Sequence, residues 1–356
     1  HTVDLTLVES EQIGTIGVGE STIPPLVNFN RILGIAEPEF MRAAQATFKL
    51  GILFDNWKYD GHSYFHSFGL SGKDHWSAGF QHFWLAARAK GYPHSYDDYC
   101  LELVAGLQGK FAHLPEDRMN YAYHVDATLY GRYLRKLAEA DGAKRVEGRI
   151  EKVELDGETG NIAALLLDGD RRVEGDMFVD CTGFRGLLID GALHAGFEDW
   201  SHWLPNDSAI AVQSDHLGPP MPYTQAIAHD AGWQWRIPLQ HRMGAGIVYS
   251  SGYLSRDEAL NRLMSSVGTP RIEPFDIKFK GGVRRKQWYR NCVAVGLAGG
   301  FVEPLEATTV HLIQRAVLRF IRMMPGGRVS ERYAIEFNDQ QRQDIEQIRD
   351  FVILHY

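Results

Sequence analysis

One stretch in the last fifth of the sequence constrains the fold most, an apolar segment followed by a glycine-containing turn and an amphipathic segment. Residues 292–297 are typical of a buried strand, and residues 310–321 carry apolar side chains at helical spacing. A turn that ends at a helix N-terminus leaves backbone N–H groups without intrahelical acceptors at the positive end of the helix dipole. We therefore predict an anion-binding position at Thr308 and Thr309.

Glu306 lies in the same turn and admits two interpretations. A carboxylate beside an anion site is repelled unless the two groups face different sides of the turn, which would make Glu306 a functional acid. An acid just before a helix is also common as a solvated side chain that interacts favourably with the helix dipole. The local pattern leaves both interpretations open.

The composition fits a globular protein and argues against several functions. The chain has 356 residues, 44% of them hydrophobic, which suits one large core or two joined domains. A formal net charge of −8 argues against a nucleic-acid partner, and we find neither an apolar run of membrane-spanning length nor a signal peptide. Cys100, Cys181 and Cys292 lack metal-ligand spacing, as do the histidines. We expect no metal site and a cytoplasmic protein with reduced interior thiols.

The N-terminal residues suggest part of a cofactor site. Residues 2–10 alternate in the manner of a strand, and Glu9 lies near the end of this segment. In dinucleotide-binding units, an acid at such a position accepts hydrogen bonds from a ribose hydroxyl. No glycine-rich turn precedes it, so either the fold is different or the first strand and phosphate-binding turn are missing from this sequence. Residues 14–25 interleave glycines with small and branched residues, which suits a strap over a flat ligand or a plain loop.

Lys49 stands among apolar neighbours in residues 48–54, which alternate as a strand. A lysine in such a strand usually faces solvent, but an inward ammonium group would be desolvated and chemically useful. Residues 62–113 are rich in aromatic and histidine side chains. They fit an aromatic substrate pocket or a packed surface region, and composition alone favours the second.

The remaining segments predict a mixed α/β protein. Residues 145–173 resemble a hairpin, and residues 177–181 form an apolar strand before a glycine-containing turn. Strand-like runs between residues 209 and 249 predict an antiparallel sheet inserted into an α/β frame. Residues 330–356 have a polar helical pattern.

Four motifs, in the same order along the chain, resemble those of the flavin-dependent halogenases of the tryptophan-halogenase type. One is Trp-x-Trp-x-Ile-Pro, formed by Trp233, Trp235, Ile237 and Pro238. The others are Gly-Val-Gly-Glu-Ser-Thr at residues 17–22, Phe48-Lys49 with Asn56-Trp57, and Phe-Val-Glu-Pro-Leu-Glu at residues 301–306. Together they extend over nearly the whole chain.

The resemblance implies an α/β fold of the class A flavin-monooxygenase type, with an FAD-binding Rossmann-type three-layer core, an inserted antiparallel sheet and a helical C-terminal part. We expect the FAD-binding core in residues 1–60, 120–190 and 285–325. We expect the region that covers the substrate and an internal tunnel in residues 61–119, 191–284 and 326–356.

The resemblance also implies an FADH2-dependent halogenase, with reduced FAD supplied by a separate NAD(P)H-dependent flavin reductase. Bromide or chloride would be oxidised to hypohalous acid, which reaches an electron-rich, indole-like aromatic substrate. Lys49 matches the family's catalytic lysine, which hydrogen-bonds the hypohalous acid or forms a haloamine, and Glu306 matches its second catalytic residue. We expect a monomer or homodimer. The alternatives are an FAD-dependent aromatic monooxygenase, which would need neither residue, and a non-enzymatic flavin-binding module.

Further positions are carried over from the family. Thr308 and Thr309 match the halide site, His66 and Phe68 match residues that contact the indole ring, and the two motif tryptophans are expected near the flavin. The expected cofactor-binding residues are Glu9, Ile16, Gly17, Val18, Gly19, Glu20, Ser21, Val146, Leu297 and Val310.

The chain departs from the family's Phe-x-x-Pro-x-x-Ser-x-Gly pattern, because Ala307 replaces the serine and Thr309 the glycine. The first change removes a hydroxyl donor from the anion site, and the second places a β-branched residue where the backbone was unconstrained. We therefore expect bromide, the larger and more easily oxidised halide, to be used more readily than chloride.

Overall fold

The computed structural model describes residues 3–13, 19–114, 119–324 and 330–356. Ile16, Gly17 and Val18, which were predicted to contact the flavin, lie outside these residues. Contacts between Cα atoms divide the chain into two compact units, His1–Ile16 with Gly131–Asp207 and Lys278–Tyr356, and Gly17–Tyr130 with Ser208–Ile277. The domain boundaries expected from cofactor and substrate roles stay a prediction.

The helices and strands of the described residues follow one another along the chain in a mixed order. The strands are β1 (Thr6–Glu9), β2 (Glu20–Ser21), β3 (Thr47–Lys49), β4 (Gly51–Asp55), β5 (Ser63–Ser67), β6 (Ala122–Val125), β7 (Lys144–Glu147), β8 (Ile150–Leu155), β9 (Ile162–Leu167), β10 (Arg171–Glu174), β11 (Phe178–Asp180), β12 (Phe197–Asp199), β13 (Ser208–Ser214), β14 (Thr224–His229), β15 (Gly232–Pro238), β16 (Met243–Tyr249), β17 (Phe275–Lys278), β18 (Gly282–Arg284), β19 (Trp288–Tyr289), β20 (Cys292–Ala294) and β21 (Gly300–Phe301). The α-helices are α1 (Pro25–Ile32), α2 (Glu37–Ala43), α3 (Phe80–Ala89), α4 (Leu101–Leu107), α5 (Ala127–Ala140), α6 (Arg256–Met264), α7 (Thr309–Met323) and α8 (Glu331–Ile353).

The second unit is built on a seven-stranded sheet with the order β17-β13-β16-β15-β14-β4-β5. Strands β13, β16, β15 and β14 pair antiparallel, which confirms the antiparallel sheet predicted between residues 209 and 249. Strand β4 then joins β14 in parallel. Alternate residues of β13 and β16 bury apolar side chains against α6, so this sheet has one face in a core.

The prediction of one strand over residues 48–54 was wrong, because the chain changes sheets at Leu50. Strand β3 pairs with β6 in a three-stranded sheet with the order β2-β6-β3, whereas β4 belongs to the seven-stranded sheet. The Leu50 N–H donates to the carbonyl of Pro222, 2.7 Å away, at the crossing point. Lys49 is therefore the last residue of one sheet, directly before another begins.

A buried carboxylate organises the turn after β11 in the first unit. Asp180 is fully buried, and its Oδ2 accepts the backbone N–H groups of Leu188 at 2.9 Å and Ile189 at 2.8 Å. Strand β11 runs parallel to β20, with Phe178 opposite Cys292. Cys181, which follows Asp180, is exposed, so the expectation of interior thiols was wrong for this residue.

Helices α7 and α8 confirm the two helical segments predicted near the C-terminal end of the chain. They pack together through Arg319, whose Nη2 lies 2.7 Å from Oδ2 of Asp344. Trp288 of β19 packs edge-on against Phe320 of α7 and Phe337 of α8. These contacts join the C-terminal half of α7 to the N-terminal half and middle of α8. The start of α7 and the end of α8 contribute to the site described below.

We expect Gly246→Ala to lower the free energy of unfolding by about 3 kcal/mol. Gly246 lies opposite Trp235 in the β15–β16 pair, and a Cβ there would approach the Trp235 ring to 2.1 Å and the carbonyl oxygen of Ile210 to 2.6 Å. The control is Gly131→Ala in α5, where a Cβ would meet nothing within 4 Å. We expect this substitution to raise the free energy of unfolding by about 0.5–1 kcal/mol. Urea unfolding measures both, and equal effects would show that Trp235 does not pack tightly on Gly246.

Candidate functional site

Lys49 is fully buried, which excludes the interpretation of a solvated strand residue. Its Nζ donates to the carbonyl oxygen of Thr22 at 2.9 Å and lies 5.0 Å from the ring centroid of Phe68. Thr22 is held in turn by Tyr123, because its Oγ1 donates to the Tyr123 carbonyl at 2.7 Å. The ammonium group is thus desolvated between a carbonyl and an aromatic face, the environment in which a lysine becomes chemically useful.

A buried histidine lies near Lys49 and remains neutral. His124 of β6 is fully buried, with Nδ1 3.0 Å from Oγ1 of Thr47 and Nε2 3.0 Å from Oγ1 of Thr224. Burial, and then the positive charge of Lys49, hold the pKa of His124 well below its usual value. The site therefore carries one positive charge at this point rather than two. Sequence reasoning missed His124 because its proximity depends on the pairing of β6 with β3.

The described part of the predicted flavin strap consists of Gly19, Glu20 and Ser21. Glu20 and Ser21 form β2 on the edge of β6, and Ser21 Oγ lies 2.6 Å from Oγ1 of Thr224. Gly19 has a φ of +83°, and a Cβ at this position would lie 3.6 Å from Cγ2 of Ile237. The end of the predicted strap therefore lies beside the strand that carries the Trp-x-Trp-x-Ile-Pro motif. Burial raises the pKa of Glu20, in the same segment, to about 7.

The two predicted substrate residues follow each other on and just after β5. His66 lies opposite Ile52 in the β4–β5 pair. The N–H of Phe68 donates to the carbonyl of Leu50 at 2.9 Å, which places the Phe68 ring beside the ammonium group of Lys49. The structure thus brings together Lys49 and one of the two predicted substrate contacts.

The motif tryptophans are buried on one face of β15. The ring centroids of Trp233 and Trp235 lie 6.1 Å apart at an interplanar angle of 59°. The Trp235 Nε1 is buried and has no hydrogen-bond partner among the described residues, which is unusual for such a donor. The carbonyl of Pro238, at the end of the motif, accepts a hydrogen bond from Thr47 Oγ1 at 2.6 Å. The motif therefore supports β3, the strand that ends at Lys49.

Glu306, in the first unit, is 5% exposed, which excludes its interpretation as a solvated acid. Its Oε1 lies 2.8 Å from Nε2 of His355, which follows the end of α8. A second acid of the same turn, Glu303, accepts from the Tyr356 hydroxyl at 2.7 Å. Sequence reasoning missed both partners because α8 returns to the turn only in three dimensions.

The predicted halide residues lie at the start of α7. Thr308 precedes the first helical residue, its side chain does not cap the helix, and its carbonyl accepts the N–H of Leu312 at 2.9 Å. The first N–H groups of α7 therefore lack intrahelical acceptors. Thr309 also lines a cavity of about 20 Å³ with Gly296, Gly300 and other residues, enough for one water-sized species. Leu297 belongs to the turn after β20, and Val310 to the first turn of α7.

Ala307 adopts the left-handed backbone conformation, with a φ of +58°. This conformation costs a non-glycine residue about 1–2 kcal/mol. The strained residue of the turn is therefore Ala307, while Thr309 has ordinary helical geometry in α7.

Glu9 ends β1 and lies between two arginines. Its Oε1 accepts from Arg135 Nη1 at 2.5 Å and from Arg145 Nε at 2.6 Å. Burial raises the pKa of Glu9, but the hydrogen bonds from the two guanidinium groups outweigh it and the net shift is downward. Val146 is opposite Val8 in the parallel β1–β7 pair. Glu9 is thus a carboxylate at the end of a parallel strand. Its contact with a ribose stays a prediction.

Within the described ranges, the structure contains no cluster of three or more residues that could bind a metal ion. None of the helices in this part of the chain is long and apolar enough to span a membrane.

Comparison with known proteins gives consistent matches over the whole chain. A family model described as tryptophan halogenase matches residues 1–356. Tryptophan 7-halogenase RebH of Lentzea aerocolonigenes is 36% identical over 379 residues, which cover 100% of this chain and 71% of RebH. Tryptophan 6-halogenase SttH of Streptomyces toxytricini is 35% identical, over 99% of this chain and 73% of SttH.

A solved structure of Xcc4156, a flavin-dependent halogenase from Xanthomonas campestris, matches with a TM-score of 0.97 and 54% identity over 99% of this chain and 72% of that protein. BrvH, a flavin-dependent halogenase from Brevundimonas sp. BAL3, matches with a TM-score of 0.94 and 46% identity. This match covers 99% of this chain and 72% of BrvH. These matches confirm the flavin-halogenase fold that the four motifs predicted. The chain belongs to the tryptophan halogenase family.

Proposed function

We propose that this chain is an FADH2-dependent halogenase that transfers an oxidised halogen to an electron-rich, indole-like aromatic substrate. One observation supports this proposal above the others, the complete burial of the Lys49 ammonium group against the Phe68 ring. Desolvating an ammonium group costs several kcal/mol, so burying a lysine at this position does not by itself stabilise the fold. This favours a functional role for Lys49 over a purely structural one.

The residues present suit FAD. We assign the binding of a ribose hydroxyl to Glu9, at the end of β1. We assign contacts with the flavin to Leu297, in the turn after β20, and to Val310, in the first turn of α7. Ser21 and its neighbours supply the end of the strap on β6. When bound, reduced FAD together with O2 supplies the oxidising power that converts a halide into hypohalous acid.

We assign to Lys49 the task of holding the hypohalous acid. An ammonium group can donate three hydrogen bonds, and one of those of Lys49 fixes its direction through the Thr22 carbonyl. A desolvated cation that donates to the oxygen of the hypohalous acid draws electron density from the halogen and makes it more electrophilic. The apolar surroundings also keep water from consuming the oxidant.

We assign to Glu306 the removal of the proton from the halogenated ring carbon. The carboxylate takes the proton, and the electron pair of the broken C–H bond returns to the ring, which becomes aromatic again. Thr308 and Thr309, at the start of α7, are the proposed halide site. The substrate ring would contact Phe68 and His66, since aromatic rings favour stacked or edge-on contacts with such side chains.

The proposal also includes a separate NAD(P)H-dependent flavin reductase as partner. The relatives RebH and SttH are named for tryptophan, and we extend this to an indole-containing substrate for the present chain.

We expect Lys49→Met to lower the yield of brominated product about 100-fold or more, because it removes the donor to the hypohalous acid and keeps the apolar stem. The assay combines the protein with a flavin reductase, NADH, FAD, bromide and indole, and detects the bromine isotope doublet by mass spectrometry. The control is Lys58→Met, which changes an exposed lysine shortly after β4 and should brominate like the unchanged protein.

Two outcomes of the same assay would contradict the proposal. An oxygenated product without bromine would indicate an aromatic monooxygenase. Bromination that is unaffected by Lys49→Met would show that this lysine does not act on the oxidant.

We expect the unchanged protein to prefer bromide when both halides compete, and Ala307→Ser to shift the product ratio towards chloride. Ala307 lacks a hydroxyl that could donate to the smaller and more strongly hydrated chloride ion. Because Ala307 is the residue before Thr308, a serine there returns a donor at the start of α7. The measurement is the ratio of brominated to chlorinated product at equal halide concentrations. Equal use of the two halides by the unchanged protein would refute this expectation.

A further inference from the structure

The turn that carries Glu306 is fixed to the end of α8 by two neighbouring side chains. His355 bonds Glu306 at 2.8 Å, and the hydroxyl of Tyr356 donates to Glu303 at 2.7 Å. The side chains of Glu306 and His355 are 6% and 8% exposed, so their contact is shielded from water. Removing one partner of such a buried contact leaves the other as an uncompensated, desolvated polar group.

The other ring nitrogen of His355 determines where the protons lie. Nδ1 is 2.9 Å from the carbonyl oxygen of Phe351, and a carbonyl can only accept, so Nδ1 carries a hydrogen. The short contact between Nε2 and the Glu306 carboxyl group therefore needs a second proton. This proton belongs either to an imidazolium facing a carboxylate or to a carboxylic acid facing a neutral imidazole.

The electrostatics favour the charged pair. Burial lowers the pKa of His355, but the hydrogen bond and the negative charge of Glu306 outweigh it, and the net shift is upward. The backbone carbonyl of Phe351 raises it further. An imidazolium that is stabilised in this way keeps the facing carboxyl group ionised.

The other charged groups near the end of α8 have partners of their own. On the turn, Glu303 accepts hydrogen bonds from Asn206 and Tyr356. On α8, Arg349 lies over the rings of Trp200 and Trp203 and pairs with Asp350.

Among the described residues, the charged groups on the elements that contact α8 have partners of their own, and Glu198 of β12 pairs with Arg342 of α8. Helix α7 presents Arg315 and Arg319, both paired with Asp344 about three turns before His355. It also carries His311, whose pKa is lowered by burial and by the charge of Arg315. Strand β19 consists of Trp288 and Tyr289, neither of which is charged. Glu306 is the charged group whose field acts on His355.

We propose that His355 is a positioning residue that holds Glu306 as an oriented carboxylate, ready to accept a proton. This inference rests on the proposed function of Glu306 as the base, and it adds a second residue and a protonation state to that role. His355 does not contact the substrate in this scheme. It fixes Oε1 of Glu306, and its positive charge keeps the proton off the carboxylate until the ring proton arrives.

The test compares His355→Gln with Tyr356→Phe in the full chain. The first variant keeps a side chain that can donate a hydrogen bond but cannot carry charge, and the second removes the neighbouring anchor of the same turn. For His355→Gln we expect kcat of bromination at pH 7 to fall about tenfold or more, with little change in KM. We also expect the acidic limb of its pH profile to move to higher pH, because a buried carboxylate ionises less readily without an adjacent cation.

Tyr356→Phe should keep the pH profile of the unchanged protein, because it does not alter the charge beside Glu306. If His355→Gln also keeps that profile, or if both variants lose activity and melting temperature in parallel, the role of His355 is only structural and the inference fails.

A second measurement does not depend on halogenation. The pKa of the His355 imidazole is read from ¹H–¹⁵N spectra over a pH series, its signals being those that are absent in His355→Gln. We expect this pKa to be lower in Glu306→Gln than in the unchanged protein, and an equal pKa would overturn the inference. A protein that shows the pKa difference but yields no halogenated product would keep the charged pair and refute the proposed function instead.

Discussion

The burial of the Lys49 ammonium group is the constraint that the arrangement of the second unit depends on. A desolvated cation is stable only if nearby groups replace its water, and here the Thr22 carbonyl and the Phe68 ring do so. Each of these contacts needs its own support. Tyr123 fixes Thr22, and the Phe68 N–H is bonded to the Leu50 carbonyl. The change of sheets at Leu50 thus explains how a strand lysine comes to lie in an apolar interior.

In the first unit, buried acids define the turn before α7. A buried carboxylate needs hydrogen-bond donors, and Glu303 and Glu306 obtain them from the end of α8. The strained backbone of Ala307 and the uncapped start of α7 belong to the same turn. Backbone strain of this kind persists only where the surrounding structure maintains it. The contacts of Tyr356 and His355 provide that support, and they give the turn a fixed set of charges.

Much of the fold could be predicted from local patterns, whereas most partners could not. Apolar periodicity predicted α7, α8 and the antiparallel strands around the Trp-x-Trp-x-Ile-Pro motif, because such patterns depend on which side of an element is buried. The sheet change at Leu50 was not predictable, since residues 48–54 alternate without a break and only the pairing of β3 and β4 separates them. The motifs indicated Lys49 and Glu306 as functional residues. His124 and His355 escaped prediction because each meets its partner across a large sequence separation.

The role of Lys49 is tested most directly by measuring where the oxidised halogen goes in Lys49→Met. Flavin oxidation, hypobromous acid captured by a scavenger in solution and brominated indole are quantified in the same reaction. We expect the variant to bind and oxidise the flavin still, while brominated indole is lost, because no buried ammonium group directs the oxidant to the ring. Brominated indole formed in the same proportion to oxidised flavin as in the unchanged protein would show that Lys49 does not direct the oxidant.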